Sequence, residues 1–307
     1  MSNVSAEHFS GCLLGLCLAD AIGAIYEGIR REDVRQEFSS PAELLSASRP
    51  LTYTDDGEMC LALARYLGKV STIAPAQLMA EFVKAYSSWR GYGHGTQTLI
   101  DAYRYQIDWN HLAQTMFPGG SYGNGAAMRS APVGLRYFAD HATIWQQAER
   151  SAYPTHRNEL AIEGAQLIAL ATSLAIELPT ITPQVIADQL RPFCKTITFQ
   201  KKLDGLASVH CDADIDSLGN GIEAHESVVT ALAAFSLHSS DYQQAIATAI
   251  WQGGDTDTIA AMTGALSGAR LTNSALPTEV LQRLEGAGFV NEVDAIAATL
   301  LNAHLSG

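Results

Sequence analysis

The chain has 307 residues, 47% of them apolar, and carries 19 lysines and arginines against 32 aspartates and glutamates, a formal charge of −13. That length holds one large or two small domains with a sizeable core. The acidic balance excludes a general nucleic-acid binder, because affinity for a phosphate backbone rests on lysine and arginine.

Helical periodicity dominates, and sustained alternation of β-branched or aromatic residues is almost absent, so an all-α chain is expected. The first helix, about 8–28, carries Gly11, Gly15, Ala19 and Gly23 at a spacing of four, which puts small residues on one face. Glycine inside a helix costs about 1 kcal/mol relative to alanine, so such a row implies a second backbone lying close against it. Thr54-Asp55-Asp56 stands directly before a helix of about 57–70, followed by helices of about 75–88 and 95–106, the latter opened by Arg90-Gly91-Tyr92-Gly93-His94-Gly95. A second glycine-rich loop, Gly119 to Gly125, opens a helix of about 125–139. Helices of about 157–177 and 182–192 come next. Residues 161–178 are the most apolar stretch, yet Glu163, Gln166 and Glu177 make it a buried helix, not a membrane span.

Leu218-Gly219-Asn220-Gly221 precedes a helix of about 222–237, and one of about 241–252 follows. Gly253-Gly254-Asp255-Thr256-Asp257-Thr258 then opens a helix of about 257–271, on which Ala260, Gly264 and Gly268 form a second small-residue row. A last helix of about 277–303 is interrupted near Gly286. No Pro-, Gly- or Ser-rich linker divides the chain, so one domain over 1–307 is expected. No basic-then-apolar leader is present, and the five cysteines (Cys12, Cys17, Cys60, Cys194, Cys211) show no CxxC spacing. The reading is therefore a cytoplasmic protein with reduced thiols and no membrane partner.

The two acidic clusters, 200 residues apart, carry the chemistry. Each alone serves equally as a helix cap or a ligand set, since Thr and Asp are preferred N-caps. Brought together without a cation, four buried carboxylates would repel one another and each would lose hydration. As a pair they favour a metal site, and oxygen-only ligands select Mg²⁺, Mn²⁺ or Ca²⁺ over zinc. The small-residue rows would pack the first and penultimate helices together and so bring Asp55 near Asp255. The glycine-rich loops present backbone N–H groups at helix N-termini, suited either to an anion or simply to a tight connection; none is a Walker A loop.

Taken together, Gly15-x3-Ala19-Asp20-Ala21-x-Gly23 with Glu27, Tyr53-Thr54-Asp55-Asp56, Gly120-Ser121-Tyr122-Gly123-Asn124-Gly125, Thr155-His156 and the Gly253–Thr258 cluster resemble the ADP-ribosylglycohydrolase family, in the family's order and over most of the chain. The resemblance implies a single-domain orthogonal helical bundle with a central binuclear metal cleft, two Mg²⁺ (or Mn²⁺) and cleavage of ADP-ribose from an acceptor. It implies Thr54, Asp55, Asp56, Asp255, Asp257 and Thr258 as metal ligands. Glu27, which alone reads as a solvated helix-end carboxylate, becomes the acid beside the metals, with Asp56 its rival as general base. Gly93 and Gly120 to Asn124 (Ser121, Tyr122 and Gly123 between) would hold the ADP-ribose with His156, and Phe117 and Tyr122 would stack on adenine. The loops look like the branch acting on O-linked ADP-ribose of serine, poly(ADP-ribose) and O-acetyl-ADP-ribose. The arginine-directed branch is the enzymatic alternative, and a non-catalytic ADP-ribose-binding protein the other. The partner would be an ADP-ribosylated protein or a small ADP-ribose conjugate, and the protein a monomer. One departure stands out: the family reads Thr-Asp-Asp-Thr at the first cluster, where this chain continues with Gly57 and Glu58, a change expected to weaken the helix start or alter contacts behind the ligands and to add charge.

Overall fold

The computed structural model describes residues 4–46 and 50–306. Among them the only β pairing is two isolated bridges, so the all-α expectation holds. The first helix, Ala6–Gly23 (α1), is buried continuously from Phe9 to Gly23. Short Arg31–Glu37 (α2) follows, then Asp55–Leu67 (α3), Pro75–Ala85 (α4), His94–Arg104 (α5) and Trp109–Thr115 (α6). Ala131–Arg136 (α7), His141–Ala152 (α8), Glu159–Glu177 (α9), Pro183–Leu190 (α10) and Ile197–Ala207 (α11) make up the middle of the chain. The rest is Ala224–Leu237 (α12), Tyr242–Ile250 (α13), Thr256–Leu271 (α14), Thr278–Leu281 (α15) and Phe289–Ser306 (α16).

The bundle is organised around α1 and α14, which run antiparallel in close contact. The small-residue rows are the contact surface. A Cβ built on Gly268 would lie 1.9 Å from the Gly11 carbonyl oxygen, one on Gly264 2.3 Å from that of Gly15, and one on Gly23 2.5 Å from that of Thr256. Only residues without a side chain allow the two backbones to approach so closely. This register sets the C-terminal end of α1 beside the N-terminal end of α14. Helix α9, apolar and long enough by composition to cross a membrane, is mostly buried within the bundle.

Three expectations on elements need correction. Helix α1 stops at Gly23, not near 28, because the chain turns at positive-φ Gly28, whose N–H reaches the Gly254 carbonyl at 2.8 Å. The expected helix 125–139 is a 3₁₀ turn, Asn124–Ala126, and then α7, started anew at Pro132, which lacks the N–H a continuous helix would use. Helices α2, α6, α8 and α11 were not anticipated, although Asp108, Asp140 and Thr196 cap three of them from the side chain. The final helix breaks as expected, with residues 282–288 between α15 and α16.

Candidate active-site cleft

The N-termini of α3 and α14 converge, and both acidic clusters meet at one cleft of about 300 Å³. Asp20, fully buried at the end of α1, fixes the first cluster: its oxygens accept the Thr54 N–H at 3.0 and 3.1 Å and the Gly57 N–H at 2.9 Å. The Thr54 hydroxyl accepts the Asp56 N–H at 3.2 Å, so α3 is capped without help from residue 57. The second cluster is held by the Asn220 carbonyl, which accepts the Asp255 N–H at 2.9 Å, and by the Asn124 amide, which donates to Asp255 Oδ2 and to Ser227 Oγ. Gly254 exchanges hydrogen bonds with both sides of the turn after α1, donating to Ile29 and accepting from Gly28, each at 2.8 Å. The loop carrying Asp255 and the turn carrying Glu27 are thereby one unit.

Carboxylate oxygens of Glu27, Asp255 and Asp257 lie within 4.8 Å of one another, and Asp55, Asp56 and Thr258 line the same space. Thr54 lies just behind the wall. Burial, and then the Asp257 charge, pushes the Asp55 carboxyl up to about 7. Burial followed by the Asp255 charge does the same to Asp257. Asp20 and Asp56 are driven well above the ordinary carboxylate range by burial and by Asp257. Glu27, exposed at the rim, is raised chiefly by the charge of Asp257 and then by burial. Among the described residues no lysine or arginine pairs with any of these acids. Asp56 Oδ2 and Asp257 Oδ1 are buried with no hydrogen-bond partner. An all-oxygen donor set with two unpartnered buried oxygens and mutually repelling charges fits a hard divalent cation.

Of the residues expected to hold ADP-ribose, Gly93, Phe117, Ser121, Gly123, Asn124 and His156 line the cleft; Gly120 and Tyr122 do not. Gly120, at φ +81°, is packed so tightly that a Cβ would lie 2.7 Å from the Asn158 nitrogen, so it shapes the loop from behind. Tyr122 is 51% exposed. Within this loop the N–H groups of Gly120, Gly123 and Asn124 are already used, by Phe117, Ser121 Oγ and Ile222. Those of Ser121 and Tyr122 have no acceptor among the described residues, and of these two residues Ser121 lines the cleft.

His156 is buried and is lowered to about 3 by burial and by the nearby Arg129 charge, so it is neutral. Arg129 donates to the Thr155 hydroxyl oxygen at 2.8 Å, and the same hydroxyl lies in hydrogen-bond contact with His156 Nδ1 at 2.7 Å. The His156 Nε2 faces Gly123 and Gly125 across the cleft wall. Sequence reading missed Asp20 as the strut of the first cluster and Arg129 as the source of this chain. Both stand inside the motifs, yet nothing in the order of residues shows what a fully buried Asp or Arg touches.

A family model described as ADP-ribosylglycohydrolase matches residues 1–306. The chain is 31% identical to a Danio rerio protein named ADP-ribosylhydrolase ARH3, over 97% of this chain and 91% of that protein. It is 31% identical to the Bos taurus protein of the same name, over 96% and 93%. A solved structure titled ADP-ribosylglycohydrolase-related protein complex superposes with a TM-score of 0.73 at 22% identity, over 97% of this chain and 98% of that one, which is a likeness of fold.

Proposed function

Because the chain belongs to the ADP-ribosylglycohydrolase family and is a hydrolase acting on ADP-ribose, we propose that it cleaves the C1″ bond of O-linked ADP-ribose, on serine or as a small conjugate, with Mg²⁺. The observation that carries the reading is the unpartnered pair of buried oxygens on Asp56 and Asp257 within a cleft of acids. Asp55, Asp56, Asp255, Asp257 and Thr258, with Thr54 behind them, would hold two divalent cations. When bound, these would neutralise the acids, fix ribose hydroxyls and lower the pKa of a water.

The remaining work belongs to side chains. Cleaving a glycosidic bond develops positive charge on the ribose, in an oxocarbenium-like transition state, and needs a proton for the departing oxygen. Glu27 is the carboxyl assigned to that proton: it stands at the rim, and the Asp257 charge raises its affinity for a proton. Asp56, 2% exposed at the base with a bare oxygen, suits ligation better than proton exchange with bulk water. His156 Nε2 and the Ser121 N–H, both on the cleft wall, would serve the diphosphate or distal ribose, and Phe117, half-exposed in the wall, offers a face to the base.

The test is ADP-ribose release from matched serine- and arginine-ADP-ribosylated peptides, each with a Mg²⁺ titration and an EDTA control. Mg²⁺-dependent release from the serine peptide, lost in Asp255→Ala, is expected. Release from arginine alone would overturn the O-linked assignment. No release from either, with free ADP-ribose still bound, would make the chain a reader.

A further inference from the structure

Behind the first acidic cluster lies a buried charge network that uses the two residues by which this chain departs from the family pattern. Gly57 leaves room for the Tyr53 ring, which a Cβ there would meet at 2.8 Å. The ring in turn forms the platform for Arg90, whose guanidinium carbon lies 3.6 Å from the ring centre and 3.9 Å from that of Trp89 on the other side. Glu58 is buried, accepts from Tyr92 Oη at 2.7 Å and from the Ser87 N–H at 2.8 Å, and stands 3.6 Å from Arg90 Nε. Its charge thus faces Arg90 and not the cleft.

Arg90 grips the cation-binding turn at three points. Its Nη1 donates to the Tyr53 carbonyl at 2.6 Å, its own carbonyl accepts the Asp55 N–H at 2.8 Å, and its plane covers the Tyr53 ring. Glu285 completes the clamp from the far end of the chain, taking Nη1 at 2.6 Å and Nη2 at 3.1 Å while also accepting the Tyr53 N–H at 3.1 Å. Glu285 belongs to none of the acidic or glycine motifs. It adopts φ +57°, a conformation that favours glycine, and both Gly286 and Gly288 beside it are also left-handed. A residue kept in strained backbone where its neighbours are glycine points to a side chain that is needed there.

We propose that Arg90, clamped between Glu285 and Glu58, is the positioning residue for the Tyr53–Asp56 turn, and that the Glu285 carboxylate thereby sets the affinity of the cleft for divalent cations. The proposal rests on the reading of the cleft as a cation site. A bidentate ion pair is directional, so it fixes where the Asp55 backbone sits and with it the reach of both carboxylates.

The experiment is Mn²⁺ titration of the full chain without substrate, followed by the free-Mn²⁺ electron paramagnetic resonance signal, alongside thermal unfolding in EDTA. Glu285→Gly removes the carboxylate and relieves the backbone; Glu285→Gln keeps the shape and loses the charge. Glu285→Gly is expected to weaken Mn²⁺ binding by about 10-fold or more while still unfolding cooperatively in EDTA, at a lower midpoint because buried Arg90 loses its partner, and Glu285→Gln to fall between it and the unaltered protein. At saturating Mg²⁺ both variants should recover kcat. Glu292→Ala, which cuts the exposed Arg65–Glu292 link between α3 and α16, should leave Mn²⁺ affinity untouched. Unchanged affinity in Glu285→Gln and Glu285→Gly, or an equal loss in Glu292→Ala, overturns the positioning role alone. Absence of Mn²⁺ binding in the unaltered protein overturns the cation site and this proposal with it.

Discussion

His156 is tied to Arg129 through the Thr155 hydroxyl, which contacts both. A hydroxyl that accepts from arginine keeps its own proton free to give to the ring nitrogen beside it, an arrangement that would leave the ring proton on Nε2. Thr155→Val removes that constraint and leaves the Arg129 guanidinium short of an acceptor. Free ADP-ribose should then bind about 5- to 10-fold more weakly by calorimetry, the scale of one hydrogen bond of ~1–1.5 kcal/mol. Burial and the Arg129 charge hold His156 down at about 3, so the affinity should show no histidine step between about pH 5 and 8. A step near the ordinary value of about 6.5 would mean that the ring charges on ligand binding. Tyr122 shows a different case: the sequence places an aromatic side chain on a ligand loop, and the structure leaves it exposed and outside the cleft lining.

At the scale of elements, the pairing of α1 with α14 places the chemistry. Glycine-to-alanine changes inside a helix ordinarily stabilise by about 0.5–1 kcal/mol. At Gly268 the sign should reverse, since the added Cβ would overlap the Gly11 backbone, which cannot move aside as a side chain can. Gly268→Ala is expected to lower the melting temperature by on the order of 5–10 °C, from ~3 kcal/mol of overpacking. Gly205→Ala on α11, whose nearest neighbour is the flexible Leu218 side chain at 3.0 Å, should be neutral or mildly stabilising. A tolerated Gly268→Ala would show that the helices can separate without loss. The rows were legible beforehand because spacing of four on a helix is a geometric statement. The helices not foreseen, α2, α6, α8 and α11, are short or strongly polar on one side, and their existence depends on the core they lean against.

For the whole molecule, a charge of −13 includes a group of acids buried together, so stability, pH and cation are linked. Asp55 and Asp257 move from 3.8 to about 7 on folding, which means that the folded chain favours their protonated forms. Their contribution to stability is full below the unfolded value and is lost as pH rises through about 7. Mg²⁺ binds the ionised forms, so the difference in melting temperature between saturating Mg²⁺ and EDTA should be small at pH 5 and widen by on the order of 5 °C or more by pH 8. Comparing the two conditions at each pH cancels the opposite trend of His156, whose lowered value removes stability as pH falls below about 6.5. A difference that stays constant with pH would argue against cation binding by these carboxylates. The amino-acid order by itself determined the all-α class, the α1–α14 contact and the membership of both acidic clusters in one site, because periodicity, glycine spacing and charge repulsion are local properties of a chain. Only the tertiary structure decided that Asp20 bears the first cluster, that Glu27 lies on a turn stitched to Asp255, and that Glu285, 195 residues away, closes on Arg90. Those are contacts between buried polar groups, whose partners are chosen by how the helices pack and not by the residues beside them.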